Sequence, residues 1–176
     1  MNAKLTPAIL NNCLNGLLQM NTTEDLPMIK KVLCVDDDAL SLTISELMLN
    51  SVSFTEQIDT AIDGKDALDY LDKILEEKDT TGKAPQLILL DINMPVMNGW
   101  EFLEEFVPAY AEKLPGTKII ILSSTIDPQD FEQAKKFPVV VDFISKPLGL
   151  DMLESLKESE HFRVYFAGSD NEDNKA

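Results

Sequence analysis

Four apolar runs in this chain end in residues that can do chemistry. Val32-Leu33-Cys34-Val35 runs into Asp36-Asp37-Asp38, and Leu87-Ile88-Leu89-Leu90 runs into Asp91. A third run ends at Ser123-Ser124, and a fourth closes at Phe143-Ile144-Ser145-Lys146-Pro147. If these runs are parallel strands of one sheet, acids, hydroxyls and one lysine meet at its carboxyl edge. That edge is where open α/β sheets place their sites. The set suits a divalent cation and a phosphoryl group.

Three adjacent aspartates repel one another unless something compensates. A hard cation does so, and Mg2+ favours one or two carboxylates together with waters and a phosphate. Asp36 and Asp37, immediately at the strand end, are the expected metal ligands. Asp38 reads as the N-cap of the following helix, its carboxylate accepting a backbone N–H. Plain solvated turn acids are the alternative for all three. Asp91 closes the most apolar run, a position suited to metal ligation or to nucleophilic attack on phosphorus, since carboxylates form acyl phosphates. Asn93 offers a backbone carbonyl to a cation, as any residue type would. Met94-Pro95 fixes the loop, and Gly99 relieves a crowded or positive-φ position. Ser123 and Ser124 bring hydroxyls that bond phosphoryl oxygens, although serines at strand ends also serve as caps. Lys146 is placed to neutralise a phosphoryl group or pair with an aspartate.

Regular elements must hold these residues. Strands are expected over 31–35, 53–58, 87–91, 118–122 and 139–144. Helices are expected over 38–50, 64–77, 99–111, 128–136 and 149–160. The first helix carries Leu40, Ile44, Leu47 and Met48 on its supposed buried side, and the second Ala67, Leu68, Leu71, Ile74 and Leu75. Short strands alternating with longer helices indicate an α/β sheet covered on both faces, closed by right-handed crossovers.

Residues 1–27 differ in character. Leu5-Thr6-Pro7 starts a stripe through Ile9, Leu10, Cys13, Leu14, Leu17 and Leu18 at helical spacing. Asparagines and Gly16 weaken it, so a loose extension competes with a helix docked to the core or a partner. Residues 28–165 form the expected domain, and 166–176 a frayed acidic tail. Phe162, Val164, Tyr165 and Phe166 either cover a dimer surface or fold back on their own core.

Composition narrows the function classes. The 31 acids against 15 Lys plus Arg leave a formal charge of −16, which repels nucleic acid and anionic lipid. Cys13 and Cys34 are too few for a disulfide scaffold, and Cys34 is expected as a buried free thiol. His161 is the only histidine, which removes the usual general base and zinc ligand from the candidate site. No membrane span or signal-peptide pattern is present, so the cytoplasm is the expected location.

Together the four strand ends resemble a stand-alone receiver domain of the two-component response regulator family. The matching stretches are Val35-Asp36-Asp37-Asp38, Leu90-Asp91-Ile92-Asn93-Met94-Pro95-Val96-Met97-Asn98-Gly99, Leu122-Ser123-Ser124 and Phe143-Ile144-Ser145-Lys146-Pro147. They occur in family order over residues 31 to about 160. The resemblance implies a flavodoxin-like, doubly wound five-stranded parallel sheet of order 2-1-3-4-5 between two helical layers. It implies Asp91 as the phosphoacceptor, taking its group from a phosphohistidine on a sensor histidine kinase or a histidine phosphotransfer protein. It implies Asp36, Asp37, Asp91 and the Asn93 carbonyl around Mg2+, with Lys146 contacting the phosphoryl group. Ser123 and Phe143 become the switch pair, and the Lys146–Pro147 bond is often cis in such proteins. Signalling then runs through protein–protein contact, with a homodimer through the last helices as one form. Val139-Val140-Val141 departs from the small residues usual before the last strand. Two rivals stand beside this reading. One is a receiver-like module that binds without phosphorylation. The other is a Mg2+-dependent phosphohydrolase, which needs an acid/base group and a substrate cap that the sequence does not show.

Overall fold

Leu87-Ile88-Leu89-Leu90 has no polar side to turn toward water, so it requires neighbours on both faces and both edges. In the computed structural model, which describes residues 28–77, 82–125 and 127–167, it has them. Strands β1 (Ile29–Val35), β2 (Thr55–Ala61), β3 (Leu87–Asp91), β4 (Lys118–Ser123) and β5 (Val140–Ser145) form one sheet. Their order is β2-β1-β3-β4-β5, and every pairing is parallel. Helices α1 (Ala39–Ser51), α2 (Gly64–Glu76), α3 (Gly99–Tyr110), α4 (Pro128–Ala134) and α5 (Leu150–Glu158) alternate with the strands. This is the flavodoxin-like three-layer arrangement. The N-terminal segment 1–27, part of the turn between α2 and β3, and the acidic tail beyond 167 lie outside the described residues.

Alternation along the strands divides the core in two. Val32, Cys34, Leu87, Leu89, Ile120 and Leu122 face α1 and α5, while Leu33, Val35, Ile88, Leu90, Ile119 and Ile121 face α2, α3 and α4. Cys34 is the expected buried free thiol, and burial pushes its pKa up to about 12, so it is inert. Among the described residues no helix is long and apolar enough to cross a membrane.

Two local expectations fail for physical reasons. The second strand begins at Thr55 rather than 53, because Ser53 takes a positive φ of 49° and Phe54 N–H bonds back to the Leu49 carbonyl, closing α1. Phe54 is fully buried. In α1 the buried side carries Ser45 and Leu49, with Leu42 and Met48 packed at its margin. Leu40 and Leu47 stand 65% and 60% exposed. Apolar residues lie on two sides of this helix, so periodicity offers two stripes, and packing of Ser45 and Leu49 against the sheet selects one.

The aromatic stretch after α5 folds back on its own core. Phe162 is fully buried and the Phe54 and Phe166 ring centroids lie 5.2 Å apart. Lys157 Nζ donates to the Val52 carbonyl at 2.9 Å, tying α5 to the end of α1.

The edge strand β2 is held by a polar cluster. Tyr70 Oη donates to Asp59 at 2.6 Å, Gln57 Nε2 donates at 3.0 Å, and Lys31 Nζ lies 3.0 Å away. Burial would raise the Asp59 pKa, but these partners outweigh it and hold the carboxyl below its ordinary value. A carboxylate depressed in this way stabilises the fold above its unfolded pKa of about 4 and loses that contribution as pH falls through the folded value. Tyr70→Phe is therefore expected to cost about 1 kcal/mol at pH 7. The difference from wild type should shrink in acid, as read by urea denaturation at both pH values.

Candidate functional site

Strand register decides which side chains meet. Val35 pairs with Leu90, so Asp36 and Asp91, the next residue of each strand path, stand level at the carboxyl edge. Asp91 pairs with Leu122, beside Ser123, and Ser123 pairs with Ser145, beside Lys146. Oxygen atoms of Asp36, Asp37 and Asp91 lie within 4.8 Å of one another. Asp36 and Asp91 are each 5% exposed, whereas Asp37 is open to solvent.

Lys146 reaches across this group. Its Nζ lies 2.5 Å from Asp36 Oδ2 and 2.9 Å from Asp91 Oδ1. Burial works against the ammonium, yet hydrogen bonds to the two carboxylates prevail and hold its pKa above the ordinary lysine value. Burial raises the Asp36 pKa despite Lys146 and the Asp38 N–H. One ammonium therefore faces three carboxylates, and negative charge remains in excess. Oxygen donors of this number and hardness fit a divalent cation.

The backbone orients the donors in a way that sequence inspection missed. Asp36 Oδ1 accepts from the Asp38 N–H at 3.0 Å, and Asp91 Oδ2 from the Asn93 N–H at 3.1 Å. Ser123 Oγ accepts from the Thr125 N–H at 3.3 Å. Three strand ends use the same turn, in which a short polar side chain bonds the amide two residues on. The signal was legible, because Asp and Ser are the residue types that make such turns. Asp38 caps α1 as expected, accepting from the Leu40 N–H at 3.0 Å.

The other expected residues are distributed around this centre. Ser123 is fully buried, and the Lys146 N–H donates to its carbonyl at 2.9 Å. The Lys146–Pro147 bond is cis. Asn93 lies on the exposed loop two residues beyond Asp91, and Ser124 is exposed. Phe143 sits farther down β5, its ring centroid 4.4 Å from that of Phe131 on α4. Through the pairing of β4 and β5 it is joined to the strand that ends at Ser123.

Gly99 sits where the chain after Asp91 doubles back into α3. A Cβ added there would stand 2.5 Å from the Asp91 carbonyl oxygen and 2.9 Å from Ile92 Cα. Both are backbone atoms that cannot step aside. Gly99→Ala is expected to destabilise by about 1–3 kcal/mol through overpacking, read as a lowered urea midpoint. The Asn98 capping box should survive, because Asn98 accepts from the Trp100 and Glu101 amides and Glu101 accepts from the Asn98 N–H.

Comparison with known proteins agrees with this geometry. A family model for the response regulator receiver domain matches residues 32–169. The chain is 34% identical over 132 residues to a protein-glutamate methylesterase/protein-glutamine glutaminase of Methanococcus maripaludis, covering 74% of this chain and 32% of that protein. It spans about a third of the length of the methylesterase relatives it matches. A two-component response regulator from Cytophaga hutchinsonii superposes with a TM-score of 0.68 at 29% identity, over 74% of this chain and 96% of that one. A response regulator receiver domain protein from Methanospirillum hungatei JF-1 gives 0.57 at 27% identity, over 74% and 92%. With five parallel strands delivering an acidic cluster and a bridging lysine to one edge, the chain belongs to the response regulator receiver domain family.

Proposed function

We propose that this receiver accepts a phosphoryl group on Asp91 from a phosphohistidine of a sensor histidine kinase or histidine phosphotransfer protein, with Mg2+ as cofactor. The observation that carries the reading is the buried Asp36–Asp91 pair bridged by Lys146. Asp36, Asp37, Asp91 and the Asn93 backbone carbonyl would hold the metal. Bound there, the cation would offset repulsion between the carboxylates and the phosphoryl oxygens. Asp91, fixed by the Asn93 N–H, supplies the attacking oxygen. An O–P bond forms as the P–N bond to the donor imidazole breaks, and the freed nitrogen takes a proton. Lys146 keeps its proton and is positioned to pair with the transferred group.

The signal would then leave through packing. Phosphorylation adds charge and acceptor oxygens beside Ser123. A hydroxyl drawn toward that charge gives up its bond from the Thr125 N–H, which moves the loop after β4. Phe143, packed at a tilt against Phe131, re-packs with it, so the face formed by α4, β5 and α5 changes for a protein partner. In this reading the only chemistry belonging to the chain is its own phosphorylation and dephosphorylation.

The test is intact mass after incubation with acetyl phosphate. A single phosphoryl adduct that needs Mg2+ and is released by hydroxylamine supports the acyl-phosphate reading. No adduct, where a known receiver is labelled in parallel, would leave the phosphorylation-independent binding module.

A further inference from the structure

Helix α1 is apolar on two opposite sides. Ser45 and Leu49 are buried against the sheet, while Leu40 and Leu47 are exposed on a second stripe, spaced i, i+4, i+7 with the half-buried Ile44 between them. Glu46 is the only charged residue between Ala39 and Ser51. A second apolar stripe of this kind exceeds the single face that a surface helix needs for its own core. Among the described residues nothing covers Leu40 or Leu47.

The same chain carries a segment of matching chemistry. Residues 5–23 contain no charged side chain, in a protein that is 26% charged overall. Within it, Ile9, Leu10, Cys13, Leu14 and Leu17 share one face at helical spacing. Laying that face on α1 desolvates no charge on the segment. The tether also reaches. Residues 19–28 span up to about 33 Å when extended, and they end where β1 begins, at the amino edge of the sheet. Helix α1 is about 20 Å long and runs from the carboxyl edge back to that same amino edge, so Leu47 lies toward the tether. A tethered apolar segment meets its docking face at an effective concentration in the millimolar range, above what a free partner or a second copy normally reaches.

We infer that residues 5–18 dock along the Leu40–Ile44–Leu47 face of α1 and act as its intramolecular cover. Because α1 starts directly after Asp36, Asp37 and Asp38, the cover borders the acidic cluster.

The experiment uses the full chain and its natural Cys13, with Cys34 buried and unreactive. Leu40→Cys, Leu47→Cys and a control, Gln129→Cys on α4 across the sheet, are oxidised mildly at low concentration, and disulfides are mapped by peptide mass. Docking predicts an intramolecular link from Cys13 to position 40 or 47 at least about tenfold faster than to position 129. In the same chains, Leu10→Asp with Leu14→Asp should abolish that preference without touching the folded domain. Equal rates at all three positions would overturn the inference and leave the face to an outside partner. Links found only between two chains would overturn it in favour of a second copy. Acetyl-phosphate labelling of the reduced protein gauges the phosphoacceptor reading separately, since its loss would leave the disulfide result standing.

Discussion

Asp91→Asn is expected to form no phosphoryl adduct with acetyl phosphate at any Mg2+ concentration. An amide oxygen is far less nucleophilic than a carboxylate, and the amide cannot reproduce the charge that binds a cation. Unfolding cannot be the cause, because the exchange is isosteric and the site carries one ammonium against three carboxylates. Removing one negative charge from so crowded a cluster relieves repulsion. The variant should accordingly be at least as resistant to urea as wild type in chelator, with the two moving closer together when Mg2+ is added. An undiminished, hydroxylamine-labile adduct on Asp91→Asn would place the phosphoacceptor elsewhere.

Lys146→Ala should be the most damaging single change at the site. Its ammonium is the bridging cation between two carboxylates that are nearly buried. Removing one member of a buried ionic group leaves uncompensated charge and costs about 3–5 kcal/mol. Here the loss is expected at the lower end, about 3 kcal/mol in chelator, because Asp37 and the mouth of the site remain open to water. Mg2+ should recover part of it by replacing the lost positive charge. Labelling by acetyl phosphate should slow by about a hundredfold, the scale for deleting one preorganised donor to a developing anion. Urea titrations with and without Mg2+, beside a labelling time course, separate the two effects. Equal stability of wild type and variant in chelator would show that Lys146 does not hold the acids together.

Much of this protein was legible in the order of its residues. Strands with no polar side, such as Leu87–Leu90, can exist only inside a doubly covered sheet. Side chains at the strand ends then converge for topological reasons. Residue order thus puts Asp36, Asp91, Ser123 and Lys146 at one edge. Asp38 as a cap and Cys34 as a buried thiol follow from local chemistry in the same way.

Tertiary structure decided what local chemistry leaves degenerate. Helix α1 has two apolar stripes of equal period, and only its packing through Ser45 and Leu49 selects the inner one. The folding back of Phe162 and Phe166 depended on whether their own core had room, and Phe54 supplies the contact. The start of β2 was set by the Phe54–Leu49 backbone bond, which no residue-type preference announces. Most consequential is the bridge from Lys146 to Asp36 and Asp91. Sequence brings the lysine and the acids to the same edge, because each follows an apolar strand of one parallel sheet. The distances between them come from register and sheet twist, which are properties of all five strands packed together.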